Sequence, residues 1–176
     1  MPMGEKGKVA GTGRPRKVKG PPRKRVLFFC ACNSIRSQMA EGLLRAFRGD
    51  RYEAYSAGLR PTHLSPAAVR VMAELGIDIS GQTAKGVEAF VGTYFDCVAT
   101  VCGDPKGPCP FLPAGQEEFT CRGCAGCCAF HPFFPAGKRS IHGCFREPAE
   151  PAGRGEETEA FRRVRDELRD WIERNF

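Results

Sequence analysis

Cys30-Ala-Cys-Asn-Ser-Ile-Arg36-Ser37 sets a cysteine six positions ahead of an arginine, with hydroxyl and amide side chains between and after them. A segment of this length, leaving a strand and entering a helix, wraps an oxyanion with backbone N–H groups while the helix N-terminus adds about half a positive charge. Such surroundings lower a thiol pKa from about 8.5 to between about 3.5 and 7.5. Cys30 is therefore expected to be a thiolate at neutral pH. Arg36 supplies a planar fork for two oxygens of a tetrahedral anion, a geometry lysine does not offer. Ser37, with Ser34, is placed to donate hydrogen bonds to the sulfur, and the oxyanion-binding segment is read as Cys32, Asn33, Ser34, Ile35, Arg36 and Ser37. The same residues would be inert if Cys30 merely ended a strand and Arg36 faced solvent, so the flanking elements decide.

Those elements have the required periods. Arg25-Val-Leu-Phe-Phe29 is a short apolar run suited to a buried strand, and Arg36 to Arg48 follows as a helix with Met39, Leu43 and Phe47 on one face. Tyr52 to Ala57 reads as a second strand. Ser65-Pro66 supplies an N-cap and a first-turn proline, Val69, Met72 and Leu75 are expected to line the apolar face of the next helix, and Gly76 ends it. Phe95 to Val101 is a third buried strand and Ser140 to Gly143 a short fourth. Phe161, Val164, Leu168, Trp171 and Ile172 draw one stripe on a terminal amphipathic helix. Alternating strands and helices predict an α/β fold, a parallel sheet covered on both sides, with its site beyond the carboxyl ends of the strands.

A chain of 176 residues, 41% hydrophobic, is sized for one globular domain. Its longest apolar run, Val26 to Cys32, is far short of the roughly 18 to 20 residues that span a bilayer. No membrane partner is expected. The formal charge of +7 sits almost wholly in the first 25 residues, which hold nine Lys or Arg against one acid, Glu5. Residues 1–24 are read as a basic disordered arm and 25–176 as the domain. The arm offers at most weak electrostatic docking on phosphate-rich surfaces, so nucleic acid is not expected as a main partner. No apolar segment follows it to make a secretory signal. Ten cysteines without an export signal point to a reducing, cytoplasmic setting and to catalysis or metal binding rather than a disulfide framework.

At this point the sequence resembles a known family. Cys30 to Arg36 with Ser37-Gln-Met-Ala-Glu-Gly42, then Tyr55-Ser-Ala-Gly58, Gly76-Ile-Asp-Ile-Ser-Gly-Gln82, Thr100-Val-Cys102 and Phe161-Arg-Arg-Val-Arg-Asp-Glu167, together look like the thioredoxin-coupled arsenate reductases built on the low-molecular-weight tyrosine phosphatase fold. That fold is a four-stranded parallel sheet flanked by helices on both sides. The resemblance implies a cascade of three thiols. Cys30 attacks arsenate and water departs. Cys102 then attacks Cys30, releasing arsenite, and Cys109 attacks Cys102, leaving a disulfide for thioredoxin to reduce. No cofactor is required for that chemistry. The family's general acid, an aspartate before proline, is replaced here by Glu147 before Pro148, one methylene longer. Two positions depart from the family pattern: Cys32 stands where many relatives carry glycine or histidine, and Ile35 where many carry a second cysteine.

Two glycines and two prolines between Cys102 and Cys109 disfavour a helix there, so that loop is expected to be irregular already in the reduced protein. Further on, Cys109-Pro-Phe-Leu-Pro-Ala-Gly115 and His131-Pro-Phe-Phe-Pro-Ala-Gly137 agree at five of seven positions, the mark of a duplicated or inserted segment, about 115–137, before the last strand. It contains Cys121, Cys124, Cys127 and Cys128, followed by His131, with Cys144 beyond to complete a set. Their density suits zinc, echoes part of an iron–sulfur run, or suits arsenite capture or a redox relay. His63 and His142 carry no motif and are read as structural. Two other functions use the same residues: a phosphatase hydrolysing phosphate monoesters through a phosphocysteine, and a metal- or arsenic-binding module.

Overall fold

A computed structural model describes residues 22–101, 103, 137–148 and 156–176. Four strands, β1 (Lys24–Cys30), β2 (Tyr52–Gly58), β3 (Phe95–Val101) and β4 (Gly137–Gly143), alternate with helices α1 (Arg36–Arg48), α2 (Pro66–Ala73) and α3 (Glu156–Asn175). The strands form one parallel sheet in the order β2-β1-β3-β4. β1 is hydrogen-bonded on both edges, Val26 lying opposite Ala54 on one side and Cys97 on the other. A strand so enclosed needs a continuous apolar run rather than alternation, and Val26 to Cys30 are all buried.

The period of two along β1 divides the core. Val26, Phe28 and Cys30 join Met39, Leu43 and Leu44 of α1, Met72 of α2, and Phe161, Leu168 and Ile172 of α3 on one face. Leu27 and Phe29 turn to the other face, where Phe95, Val98 and a short 3-10 turn at Val87–Phe90 cover them. Helical structure thus flanks the sheet on both faces. Sheet order reverses between β1 and β3, and the crevice beyond their carboxyl ends is where open α/β sheets place their sites. Cys30 is the last residue of β1.

Three expectations about packing are corrected. Phe47 does not join the α1 stripe but is 37% exposed, because the last turn of α1 runs past the edge of the core. The buried face of α2 is Ala67, Ala68, Val71 and Met72, with Val69 partly buried against the same core, so of the expected Val69, Met72 and Leu75 only Leu75 falls off the face. Leu75 lies beyond the helix end, in the turn that Gly76 completes at φ +72°, and is 37% exposed. β4 begins at Gly137, three residues earlier than expected. As the edge strand it pairs only with β3, and Lys138 and Arg139 sit exposed on it, which hid its strand character from a search for apolar runs. The basic arm up to residue 21, Cys102, Cys109, and Cys121, Cys124, Cys127, Cys128 and His131 lie outside the described residues.

α3 is fixed to the end of α2 by charge as well as by its stripe. Arg162 and Arg165 both reach Glu74, at 2.7 and 2.9 Å, and Arg165 donates to the Val71 carbonyl at 2.8 Å. The Arg162 hydrogen bond, with Arg165 behind it, lowers the Glu74 carboxyl from 4.5 to about 2. A carboxyl whose folded pKa is depressed stabilises the fold above its unfolded pKa and loses that effect as pH falls through the folded value. Urea titrations of the wild type and Glu74→Gln should therefore differ at pH 6 and converge as pH drops from about 4.5 towards 2. A gap that stays constant across that range would show that the charge is not its cause.

Candidate active site

The segment from Cys30 to α1 is shaped by bonds to its carbonyls. The Ala31, Cys32 and Ser34 carbonyls accept the N–H groups of Arg60, Thr62 and Ser65 at 2.9, 3.1 and 3.0 Å. In a planar trans peptide each N–H points opposite to the preceding C=O, and there are no cis bonds among the described residues. The N–H groups of Cys32, Asn33 and Ile35 therefore turn away from the 60–65 segment. The Asn33 N–H shows where they go, donating to Cys30 Sγ at 3.2 Å. α1 then starts at Arg36 with no side-chain cap on its first turn, leaving its N-terminal donors for an anion.

Asn33 is the hinge of this loop. It is the one non-glycine residue with positive φ among the described residues, at 48°, a conformation Asn tolerates better than most residues. Its Oδ1 accepts from the Lys85 N–H at 2.7 Å and from Gln38 Nε2 at 3.1 Å, which sets the amide so that Nδ2 donates to Ser37 Oγ at 2.8 Å. Ser37 Oγ, already accepting, is left with its own hydrogen for Cys30 Sγ, 2.9 Å away. Cys30 is 2% exposed and so faces two protein donors rather than water. Gly58, at the end of β2, must lack a side chain here: a Cβ would lie 2.8 Å from the Asn33 nitrogen.

Cutting Asn33 back to alanine removes three hydrogen bonds and leaves the part-buried Lys85 N–H donor without its acceptor. A loss of about 2–3 kcal/mol in urea unfolding is expected, with loss of oxyanion affinity. Asn33→Gly relieves the left-handed backbone without restoring the bonds and should recover little. Full recovery with glycine would mean that conformation, not the network, is what Asn33 supplies.

Arg36 is 5% exposed, its guanidinium held by the Phe145 carbonyl at 3.0 Å through Nη1 and by Glu147 Oε2 at 3.1 Å through Nη2. The fork is thus buried and aimed by the segment that follows β4. Glu147 sits half-exposed at the same guanidinium. Cys32 is partly buried. Burial first, then the Glu147 carboxylate and the Cys30 sulfur, hold its thiol above the ordinary value, so it competes poorly as a thiolate. Cys97 is more extreme, pushed up to about 11 by burial, and is a core residue.

The structure thus brings together Cys30, Cys32, Asn33, Ser34, Ile35, Arg36, Ser37 and Glu147. Among the described residues no group of three or more His, Cys, Asp or Glu is arranged to hold a metal; Cys121, Cys124, Cys127 and Cys128 lie outside the described residues. No described helix is long and apolar enough to cross a membrane. Sequence reasoning assigned no role to Gln38, Gln82 or Lys85. Gln38 ties Asn33 to the Thr83 carbonyl at 3.0 Å, and Gln82 Nε2 donates to the Gln38 side chain at 2.7 Å. Their signal was present: both glutamines lie within motifs that carried the family resemblance.

Residues 25–174 match the family described as Low molecular weight phosphotyrosine protein phosphatase. The chain is 39% identical over 146 residues to a protein of Bacillus subtilis named arsenate reductase, covering 82% of this chain and 89% of that protein. It is 37% identical over 147 residues to an arsenate reductase of Halalkalibacterium halodurans, covering 83% and 90%. Among solved structures, an arsenate reductase in the phosphate binding state superposes with a TM-score of 0.62 at 29% identity, covering 86% of this chain and 95% of the other.

Proposed function

The chain belongs to the low molecular weight phosphotyrosine protein phosphatase family, and from that premise we infer that it is an enzyme reducing arsenate to arsenite, as the names of its relatives indicate. The observation that carries this reading is the buried Cys30 sulfur, bonded to Asn33 N–H and Ser37 Oγ, in a loop whose fork, Arg36, is held by the Phe145 carbonyl and Glu147. Such a site binds a tetrahedral oxyanion with amide hydrogens and a guanidinium, and presents sulfur to its central atom.

In the reaction we propose, Cys30 forms a sulfur–arsenic bond as one arsenate oxygen, protonated by Glu147, leaves as water. Cys102 attacks the Cys30 sulfur; a disulfide forms, the sulfur–arsenic bond breaks, and arsenic keeps the electron pair as arsenite. Cys109 then attacks Cys102 and frees Cys30, and thioredoxin reduces the 102–109 disulfide. Two cysteines supply both electrons, so no cofactor enters the step. A reducing cytoplasm would keep these thiols ready.

Phosphate monoester hydrolysis needs only the loop and the acid, so the same site should hydrolyse aryl phosphates. The acid assignment rests on Glu147 lying at the Arg36 guanidinium, 3.1 Å from it. Glu147→Gln keeps the shape but supplies no proton. It should lower aryl phosphate hydrolysis by about 100-fold or more, while binding of inorganic phosphate, measured by calorimetry, survives. Unchanged hydrolysis would remove Glu147 from the acid role. Thioredoxin-driven turnover of arsenate is tested by NADPH consumption with thioredoxin and its reductase, and no arsenate-dependent consumption by the reduced wild type would overturn the functional reading.

A further inference from the structure

The carbonyl that holds Arg36 belongs to Phe145, and the ring of that same residue is held from α3. Phe145 is buried in the core, and the Trp171 ring meets it edge to face, with centroids 5.7 Å apart and planes at 87°. Gly143 makes room for the pair: a Cβ there would overlap the Phe145 ring and lie 3.0 Å from Trp171 Cε2. Trp171 is partly buried against the core and is the only tryptophan of the chain. Leu168 and Ile172, on the same stripe of α3, are fully buried and fix the helix that carries it. A guanidinium has five N–H donors. The Phe145 carbonyl takes one from Nη1 and Glu147 faces one on Nη2, which leaves Nε–H and one hydrogen on each Nη for an anion. The Phe145 bond sets the plane in which those three point. Ring and carbonyl share one Cα, so a ring locked against the indole keeps the carbonyl from drifting as the guanidinium turns.

We propose that Trp171 is a positioning residue for oxyanion binding: through the Phe145 ring it holds the carbonyl that aims Arg36. The proposal rests on the oxyanion-loop reading of Cys30 to Ser37. It couples α3 to the loop, and a coupling between two places in a protein is reciprocal. Weakening the indole contact lowers affinity for the anion, and binding of the anion changes the surroundings of the indole. A purely structural Trp171 would do neither. Its loss would cost stability, and the protein that remained folded would bind the anion as before.

The test titrates inorganic phosphate into the reduced full chain, with calorimetry reading affinity and the emission of the single tryptophan reading the indole. In the wild type the emission should shift and saturate with the midpoint that calorimetry gives. Trp171→Ala should weaken phosphate binding by at least about fivefold, while Trp171→Phe, which keeps an aromatic edge on Phe145, stays within about twofold of the wild type. Val164→Ala, roughly two turns earlier on α3, removes buried apolar surface from the same helix and is the control for stability. Urea unfolding should show a loss in both alanine variants, and phosphate affinity a loss only in Trp171→Ala. Three results would each overturn the proposal: emission that stays fixed while calorimetry shows the wild type saturating, Trp171→Ala binding phosphate no more weakly than Val164→Ala, or Trp171→Phe losing as much affinity as Trp171→Ala. The first of these needs no variant to fold. A wild type that binds no phosphate overturns the oxyanion-loop reading, and this coupling with it.

Discussion

Replacing Cys30 by serine is expected to abolish arsenate reduction and aryl phosphate hydrolysis together, each by more than about 10⁴-fold. The loop would remain intact, because Asn33 keeps its bonds to Lys85, Gln38 and Ser37. Inorganic phosphate should therefore still bind, and the loss should fall on the chemical step. The one other sulfur in the loop offers no rescue, since burial and the Glu147 carboxylate favour the protonated thiol of Cys32. Steady-state kinetics of both reactions, with phosphate binding by calorimetry as the control for folding, check this. Retained hydrolysis in Cys30→Ser would move the nucleophile to Cys32.

Cys102→Ser and Cys109→Ser should separate the two activities. Each variant is expected to lose multiple-turnover arsenate reduction by at least about 100-fold while hydrolysing aryl phosphate within about threefold of the wild type. The reason is electron supply. Hydrolysis ends when water displaces phosphate from Cys30, whereas reduction needs a second sulfur to take Cys30 from arsenic and a third to clear the disulfide. If both variants reduce arsenate at the wild-type rate, the electrons come from elsewhere, and the other thiols of this cysteine-rich chain become the candidates.

The elements that position the nucleophile were readable because each carries its period without interruption. β1 is a closed apolar run and α1 begins at the arginine that its loop delivers, so the strand–loop–helix unit follows from Val26 to Arg48 alone. β3 was legible for the same reason. The start of β4 was not, since an edge strand carrying Lys138 and Arg139 satisfies its backbone on one side without an apolar signature. The apolar face of α2 was only partly legible, because a helix of eight residues gives few turns to fix its phase and its alanines bury as readily as larger side chains.

Within the site, residue types were legible and partnerships were not. Asn33 was assigned to oxyanion binding, yet its structural work is to join Lys85, Gln38 and Ser37, contacts that span up to 52 residues of chain. Arg36 was read as the fork from its place six positions after Cys30. That the Phe145 carbonyl, 109 residues away, aims it follows only from the sheet placing the end of β4 near the end of β1. His142 and Cys144, read separately as a structural histidine and a candidate to complete a metal set, lie 3.0 Å apart at the end of β4.

The central claim is that Cys30 bonds to the oxyanion and that Cys102 and Cys109 supply the electrons. A single turnover tests it most directly: fully reduced protein mixed with stoichiometric arsenate and no external reductant, with arsenic speciation and disulfide mapping on the same sample. The account predicts one arsenite per chain, a disulfide joining 102 to 109, and neither product from Cys30→Ser. Arsenate left unreduced by the wild type, or reduced with equal yield by Cys30→Ser, would contradict it.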